Sequence, residues 1–170
     1  IPAAIDIKGC WDLVNASEET GMPLMPLKNT TYQRDVLAVL NMARQGLFGE
    51  LIHAQCGYQH NLHRVLLGRD GLYGPDLEGR NRPAKWRTLH YQHRNALLYP
   101  DHGTGAVCHW LDINRGNRFV SLTAAATKAR GLRNYIREVG GPDNPHRDQK
   151  FSQGDIVTVT LTTANGETVL

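Results

Sequence analysis

Near the start of the chain, apolar residues recur at the spacing of one helical face. Ile7, Cys10, Trp11 and Val14 stand at i, i+3, i+4 and i+7 behind a capping Asp6, which predicts an amphipathic helix ending near Gly21. The short apolar run Pro23 to Leu27 predicts a buried strand returning beside that helix. A second helix is predicted from Thr31 to about Gln45, where Val36, Val39, Leu40 and Ala43 share a face and Gly46 supplies the stop. Gly49 to Tyr58 predicts a strand. The Gly-, Pro- and Arg-rich stretch that follows, to about Asn95, predicts a long loop, and loops of such length go with function or disorder.

Beyond the loop, Val107, Trp110, Leu111 and Ile113 carry helical spacing over His102 to Asn114, with Gly103 and Gly105 weakening its start. Arg118 to Ala126 predicts a strand. The clearest β pattern closes the chain: Asp155 to Thr163 mixes Ile156, Val157, Val159 and Leu161 with threonines, and Ala164-Asn165-Gly166 predicts a hairpin turn into Glu167 to Leu170. Hairpins accompanied by helices predict an α+β class, an open and mainly antiparallel sheet with helices on one face. The other face needs cover, from further chain or from a second subunit.

With 170 residues, 41% of them hydrophobic, the chain can bury a core. No apolar stretch approaches the roughly 20 residues of a spanning helix. The opening Ile1-Pro2-Ala3-Ala4 has neither an initiator Met nor the parts of a signal peptide, so the start reads as internal to a longer protein. Cys10, Cys56 and Cys108 are odd in number and far apart, which fits buried thiols better than a disulfide framework or a metal cluster. A formal charge of +3 spread over scattered arginines does not call for nucleic acid. Its local excess, Gly79 to Arg94, reads as a solvated loop.

Two histidine pairs, His60-x-x-His63 and His90-x-x-His93, fall in the expected loop without a third ligand or a partnering carboxylate, so no metal is assigned. The run Tyr99-Pro100-Asp101-His102-Gly103-Thr104-Gly105 is more pointed. It sets a phenol and an imidazole three residues apart where a loop meets a helix, with glycines that let a ligand approach and groups able to move protons. A plain turn with Asp101 as helix cap explains the same residues. In Asn29-Thr30-Thr31-Tyr32 a capping threonine is the default. No dinucleotide fingerprint, phosphate loop or nucleophile elbow occurs.

The order of longer motifs is more specific. Ile1-Pro2-Ala3-Ala4, Cys10-Trp11-Asp12-Leu13-Val14-Asn15, Asn41 to Glu50, Lys85-Trp86-Arg87, Leu98 to Gly103 and Leu111 to Phe119 together resemble the NAD-dependent α-N-acetylgalactosaminidases of glycoside hydrolase family 109. The likeness covers nearly all of the chain. It implies a parent with an N-terminal Rossmann domain of the Gfo/Idh/MocA type. Residues 1–30 would then be the tail of that dinucleotide-binding domain, contributing its last helix and strand, and 31–170 an incomplete α+β domain for substrate binding and oligomerisation. By resemblance Ile1 and Asn29 match cofactor-contacting positions. Tyr58, Arg87, Tyr99, Pro100, Asp101 and His102 match sugar-contacting ones, with Asp101 standing where the family usually has Thr.

The implied chemistry is redox-assisted. NAD takes hydride from C3 of the sugar, the ketone acidifies the C2 proton, the aglycone leaves, water adds and the hydride returns, a route that needs no flanking carboxylate pair. Tyr99 and His102 are the candidate proton-transfer residues and Arg87 a fixed donor to substrate oxygens. The chain alone is expected to be inactive. The resemblance further implies a glycoside substrate, a homo-oligomer formed through the open sheet, and an exported, periplasmic or envelope setting in bacteria. A sugar dehydrogenase of the same superfamily and a non-catalytic carbohydrate-binding module are the competing readings.

Overall fold

The computed structural model describes residues 3–73 and 85–170, and among these residues six helices accompany a four-stranded sheet. Two compact units are present. The first comprises Ile1–Tyr58, Leu98–Leu122 and Thr160–Leu170, the second Gln59–Leu97 and Thr123–Val159. The α+β class is as expected.

In the first unit, helix α1 (Ile7–Thr20) is capped by Asp6, whose Oδ1 accepts from Gly9 N at 2.7 Å, and ends where Gly21 turns left-handed at φ 67. None of its residues is buried, and Ile7, Trp11 and Val14 lie exposed. The strand expected at Pro23 to Leu27 does not form. The segment joins no sheet and Leu24, Met25 and Leu27 stay exposed, because an apolar run becomes a strand only where a neighbour completes its hydrogen-bond ladder. Helix α2 (Arg34–Arg44) starts three residues later than expected, after a turn over residues 29–32, and it packs along helix α5 (Pro100–Trp110).

Helix α5 starts two residues before the expected position, with Tyr99 at its N-cap and Pro100 at N1, where proline's missing N–H costs nothing. Its Val107, together with Leu111, forms a core with Val169, packed by Phe119 and Leu161 of the sheet. The connection from α5 to β2 (Phe119–Ala126) turns through Asp112 and Asn114 at φ 51 and 62, a region that Asp and Asn tolerate better than most residues. The buried Asn117 ties this turn down. Its Nδ2 donates to Leu111 O at 3.0 Å and Glu167 Oε2 at 3.2 Å, and its Oδ1 accepts from Arg118 N at 2.9 Å.

The sheet order is β1-β4-β3-β2, with β1 (His53–Ala54), β3 (Val157–Thr163) and β4 (Thr168–Val169). The β3–β4 hairpin is antiparallel, as expected, and turns at Gly166 with φ 102. Strand β1 runs parallel to β4, so the sheet is mixed. The strand expected over Gly49 to Tyr58 keeps only two ladder residues, although Cys56 N still donates to Leu170 O at 2.8 Å. Phe119 faces the core while Val120 and Leu122 are 54% and 64% exposed, so one face of β2 is uncovered in this chain.

The second unit corrects the expected loop. Within that stretch lie helices α3 (His63–Leu67) and α4 (Lys85–His93), tied together by the buried Thr88, whose Oγ1 donates to Leu66 O at 2.6 Å. Helix α6 (Gly131–Val139) also lay outside expectation, though Leu132, Tyr135, Ile136 and Val139 carry the i, i+3, i+4, i+7 pattern. Its N-terminus is capped from a distance: Asp155 accepts from Arg130 N at 2.9 Å and from Gly131 N at 3.0 Å. Leu66, Leu67, Leu132 and Ile136 form the core of this unit. Ile136 is 0% exposed, so Ile136→Ala should lower unfolding free energy by about 2–5 kcal/mol in urea titration. A loss under about 1 kcal/mol would contradict the packing described.

Candidate active site

Helix α5 positions the candidate residues because its first turns carry glycine where two loops come close. At Gly103 a Cβ would lie 3.0 Å from both Cys56 Sγ and Gly57 N, and at Gly105 it would collide with Thr31 Oγ1. Only glycine lets the helix seat on both the 28–31 and the 56–57 segments. Thr30 Oγ1 donates to His102 O at 3.5 Å and adds a polar tie.

That seating brings Tyr58, Tyr99 and His102 together, although 41 positions separate Tyr58 from Tyr99. The Tyr58 ring stacks on Tyr99 at 4.6 Å between centroids and on His102 at 4.8 Å, while Tyr99 and His102 stand 6.2 Å apart. Stacked rings of this kind hold one another in orientation. Pro100 begins the helix. Asp101 is not the helix cap that a plain turn would make it; it forms an ion pair with Lys28, both side chains about one-fifth exposed, at 21% and 22%.

His102 has its pKa lowered from 6.5, first by burial and further by positive charge that includes Lys28. The imidazole is therefore neutral at pH 7, able to take a proton through one nitrogen or donate through the other. Burial pushes the Cys56 and Cys108 thiols up, so neither is a thiolate at neutral pH, whereas Cys10 is exposed, contrary to the expectation of three buried thiols.

Arg87 belongs to the second unit, on α4. Its Nε is buried without a hydrogen-bond partner and its guanidinium carbon lies 4.7 Å from the Trp86 ring centroid. Asn29 is exposed beside Lys28, and Ile1 lies outside the described residues. Of the two histidine pairs, His63 opens α3 and His90 and His93 sit in the last turn of α4, and among the described residues no three His, Cys, Asp or Glu side chains are grouped so as to hold a metal ion. Lys28 was not legible as a site residue. The signal available was Asp101 itself, a carboxylate in a partly buried first helical turn, where a cation is the natural partner.

Residues 32–170 match the family described as Glycosyl hydrolase 109, C-terminal domain. The chain belongs to glycosyl hydrolase family 109. Among family relatives it is 49% identical over 178 residues to the Alpha-N-acetylgalactosaminidase of Tannerella forsythia, covering all of this chain and 38% of that protein. A Glycosyl hydrolase family 109 protein of Parabacteroides distasonis is 46% identical over 179 residues, with the same coverage. The Alpha-N-acetylgalactosaminidase of Shewanella oneidensis is 35% identical over 170 residues, all of this chain and 35% of that protein. The family 109 chain thus spans less than two-fifths of the length of these curated relatives.

The state of His102 can be read directly in this family 109 chain. Its imidazole titration by NMR should fall below pH 6.5, and Lys28→Met, which removes a positive charge, should move it upward. A midpoint at or above 6.5 in the unaltered chain would contradict the partly buried, neutral ring.

Proposed function

We propose that this chain is the substrate-binding part of a glycosidase that releases terminal N-acetylgalactosamine with the help of NAD. The observation that carries the reading is the stack of Tyr58, Tyr99 and His102 with a neutral imidazole, in a family 109 chain with relatives named for that activity. Aromatic faces suit the apolar C–H face of a sugar ring, and the phenol and imidazole supply directional polar groups beside it.

His102 is proposed to hold or move the proton at the reacting carbon or its neighbouring oxygen, with Tyr99 orienting a sugar hydroxyl. The exposed amide of Asn29 fits an edge contact to NAD. When bound, NAD supplies a reversible hydride acceptor that makes the neighbouring C–H acidic. No Gly-rich pyrophosphate cradle lies within these 170 residues, so the chain alone should neither hold NAD firmly nor turn over.

The test is release of phenol from an aryl α-N-acetylgalactosaminide by the full-length parent supplied with NAD. Turnover is expected in the parent and absent in the isolated chain, and His102→Ala should reduce kcat by about 100-fold or more with the protein folded. Accumulating NADH without phenol would identify a sugar dehydrogenase instead. Binding of the sugar without any turnover would identify a carbohydrate-binding module.

The reading extends to assembly. Uncovered Val120 and Leu122 on β2 support a homo-oligomer formed through the sheet. Light scattering of the parent should give at least a dimer, and Leu122→Lys should shift it toward monomer. A parent that stays monomeric at all concentrations would overturn this.

A further inference from the structure

The second unit contains a cavity of about 250 Å³ that the proposed reaction does not use. Asn61, His63, Arg130, Arg133, Phe151 and Asp155 help line it. Among the described residues, its polar groups are strongly biased toward donors. The Arg133 guanidinium has neither a hydrogen bond nor an ion pair, and its Nε is buried. Arg130 has no carboxylate partner and spends one N–H, from Nη1, on Ala129 O at 3.0 Å. The His63 ring packs 4.9 Å from Tyr135 with neither nitrogen hydrogen-bonded, and Asn61 uses only its Oδ1, accepting from His63 N at 3.1 Å.

The one carboxylate here is already engaged. Asp155 accepts the N–H groups of the N-cap and of the first residue of α6, with Oδ2 on Arg130 N at 2.9 Å and both oxygens on Gly131 N at 3.0 Å. It therefore balances the helix end rather than either guanidinium. A buried guanidinium N–H without an acceptor is rare in folded proteins, and a bound oxyanion is the partner that best fits its fork of donors. Glycine at 131 keeps the space open: a Cβ there would sit 3.3 Å from Asp155 Oδ1 and 3.5 Å from His63 Nε2.

Phe151 contributes an apolar wall opposite in character to these donors. The volume falls below the roughly 300–1,000 Å³ of sites for drug-sized ligands and suits a single ring. We propose that this cavity binds a carboxylate-bearing monosaccharide, its carboxylate on Arg133 and Arg130 and its ring against Phe151. The proposal stands apart from the glycosidase reading, since none of these residues is placed in the reaction.

Calorimetry and NMR on the full 170-residue chain test it with glucuronate, glucose and inorganic phosphate as probes. Glucuronate should bind saturably, perturb the His63 and Phe151 signals, and bind at least about tenfold more tightly than glucose or phosphate. Arg133→Gln should weaken glucuronate binding by about tenfold or more, and Arg130→Gln, at an exposed position whose change leaves the fold intact, should weaken it as well. Absence of saturable binding overturns the proposal, as does glucose or phosphate binding as tightly as glucuronate. So does unchanged affinity in Arg130→Gln and in any Arg133→Gln protein that circular dichroism shows to be folded.

Discussion

The close approach of helix α5 to two loops is the constraint on which the first unit depends. A helix carrying ordinary side chains at Gly103 and Gly105 would have to stand off, because its Cβ atoms would meet Cys56, the Gly57 backbone and Thr31. Both glycines cost helix propensity, of order 1 kcal/mol each relative to alanine. Packing offsets that cost: Val107 and Leu111, further along, are buried against Val169 and the inner face of the sheet. The same helix that anchors the core therefore delivers Tyr99 and His102 to Tyr58.

Charge at this helix follows from the same proximity. Seating α5 on the 28–31 segment puts Lys28 against Asp101, and the pair is partly buried. An Asp in the first turn of a helix is also favoured by the positive end of the helix dipole. His102, one residue on, meets burial and nearby positive charge that includes Lys28, both of which disfavour its protonated form. Asp101 on Lys28 and His102 on Tyr58 thus stand side by side in the chain, each held by its own surroundings.

The second unit obeys a different logic. Its core is made by short helices, and two of the three owe part of their stability to polar groups from elsewhere: Thr88 of α4 bonds to the end of α3, and Asp155 caps α6. Such supports act only after the chain has folded, since each joins residues 22 or more positions apart. Arg87 and Arg133 share one feature within this unit, a buried Nε with no acceptor. Folded proteins seldom leave such donors unmet, so each calls for a water, an ion or a ligand.

Local pattern determined a definite part of this protein. Asp6 and Gly21 bounded α1, Ala164-Asn165-Gly166 set the final hairpin, and the β-branched run in Val157–Thr163 set its strand, because capping, left-handed turns and strand alternation act between residues close in sequence. The motif order led to the right family for the same reason, being carried by contiguous residues. Pairing and approach in space were decided elsewhere. The apolar run Pro23–Leu27 found no ladder, the expected strand before Tyr58 shrank to two residues, and α3 and α4 formed where polar composition argued for a loop, since tertiary contacts rather than propensity hold short elements. The sequence named Tyr58, Tyr99 and His102 separately. Only the folded chain stacked them and set Lys28 on Asp101, because contacts between distant positions depend on how α5 packs and leave no periodicity to read.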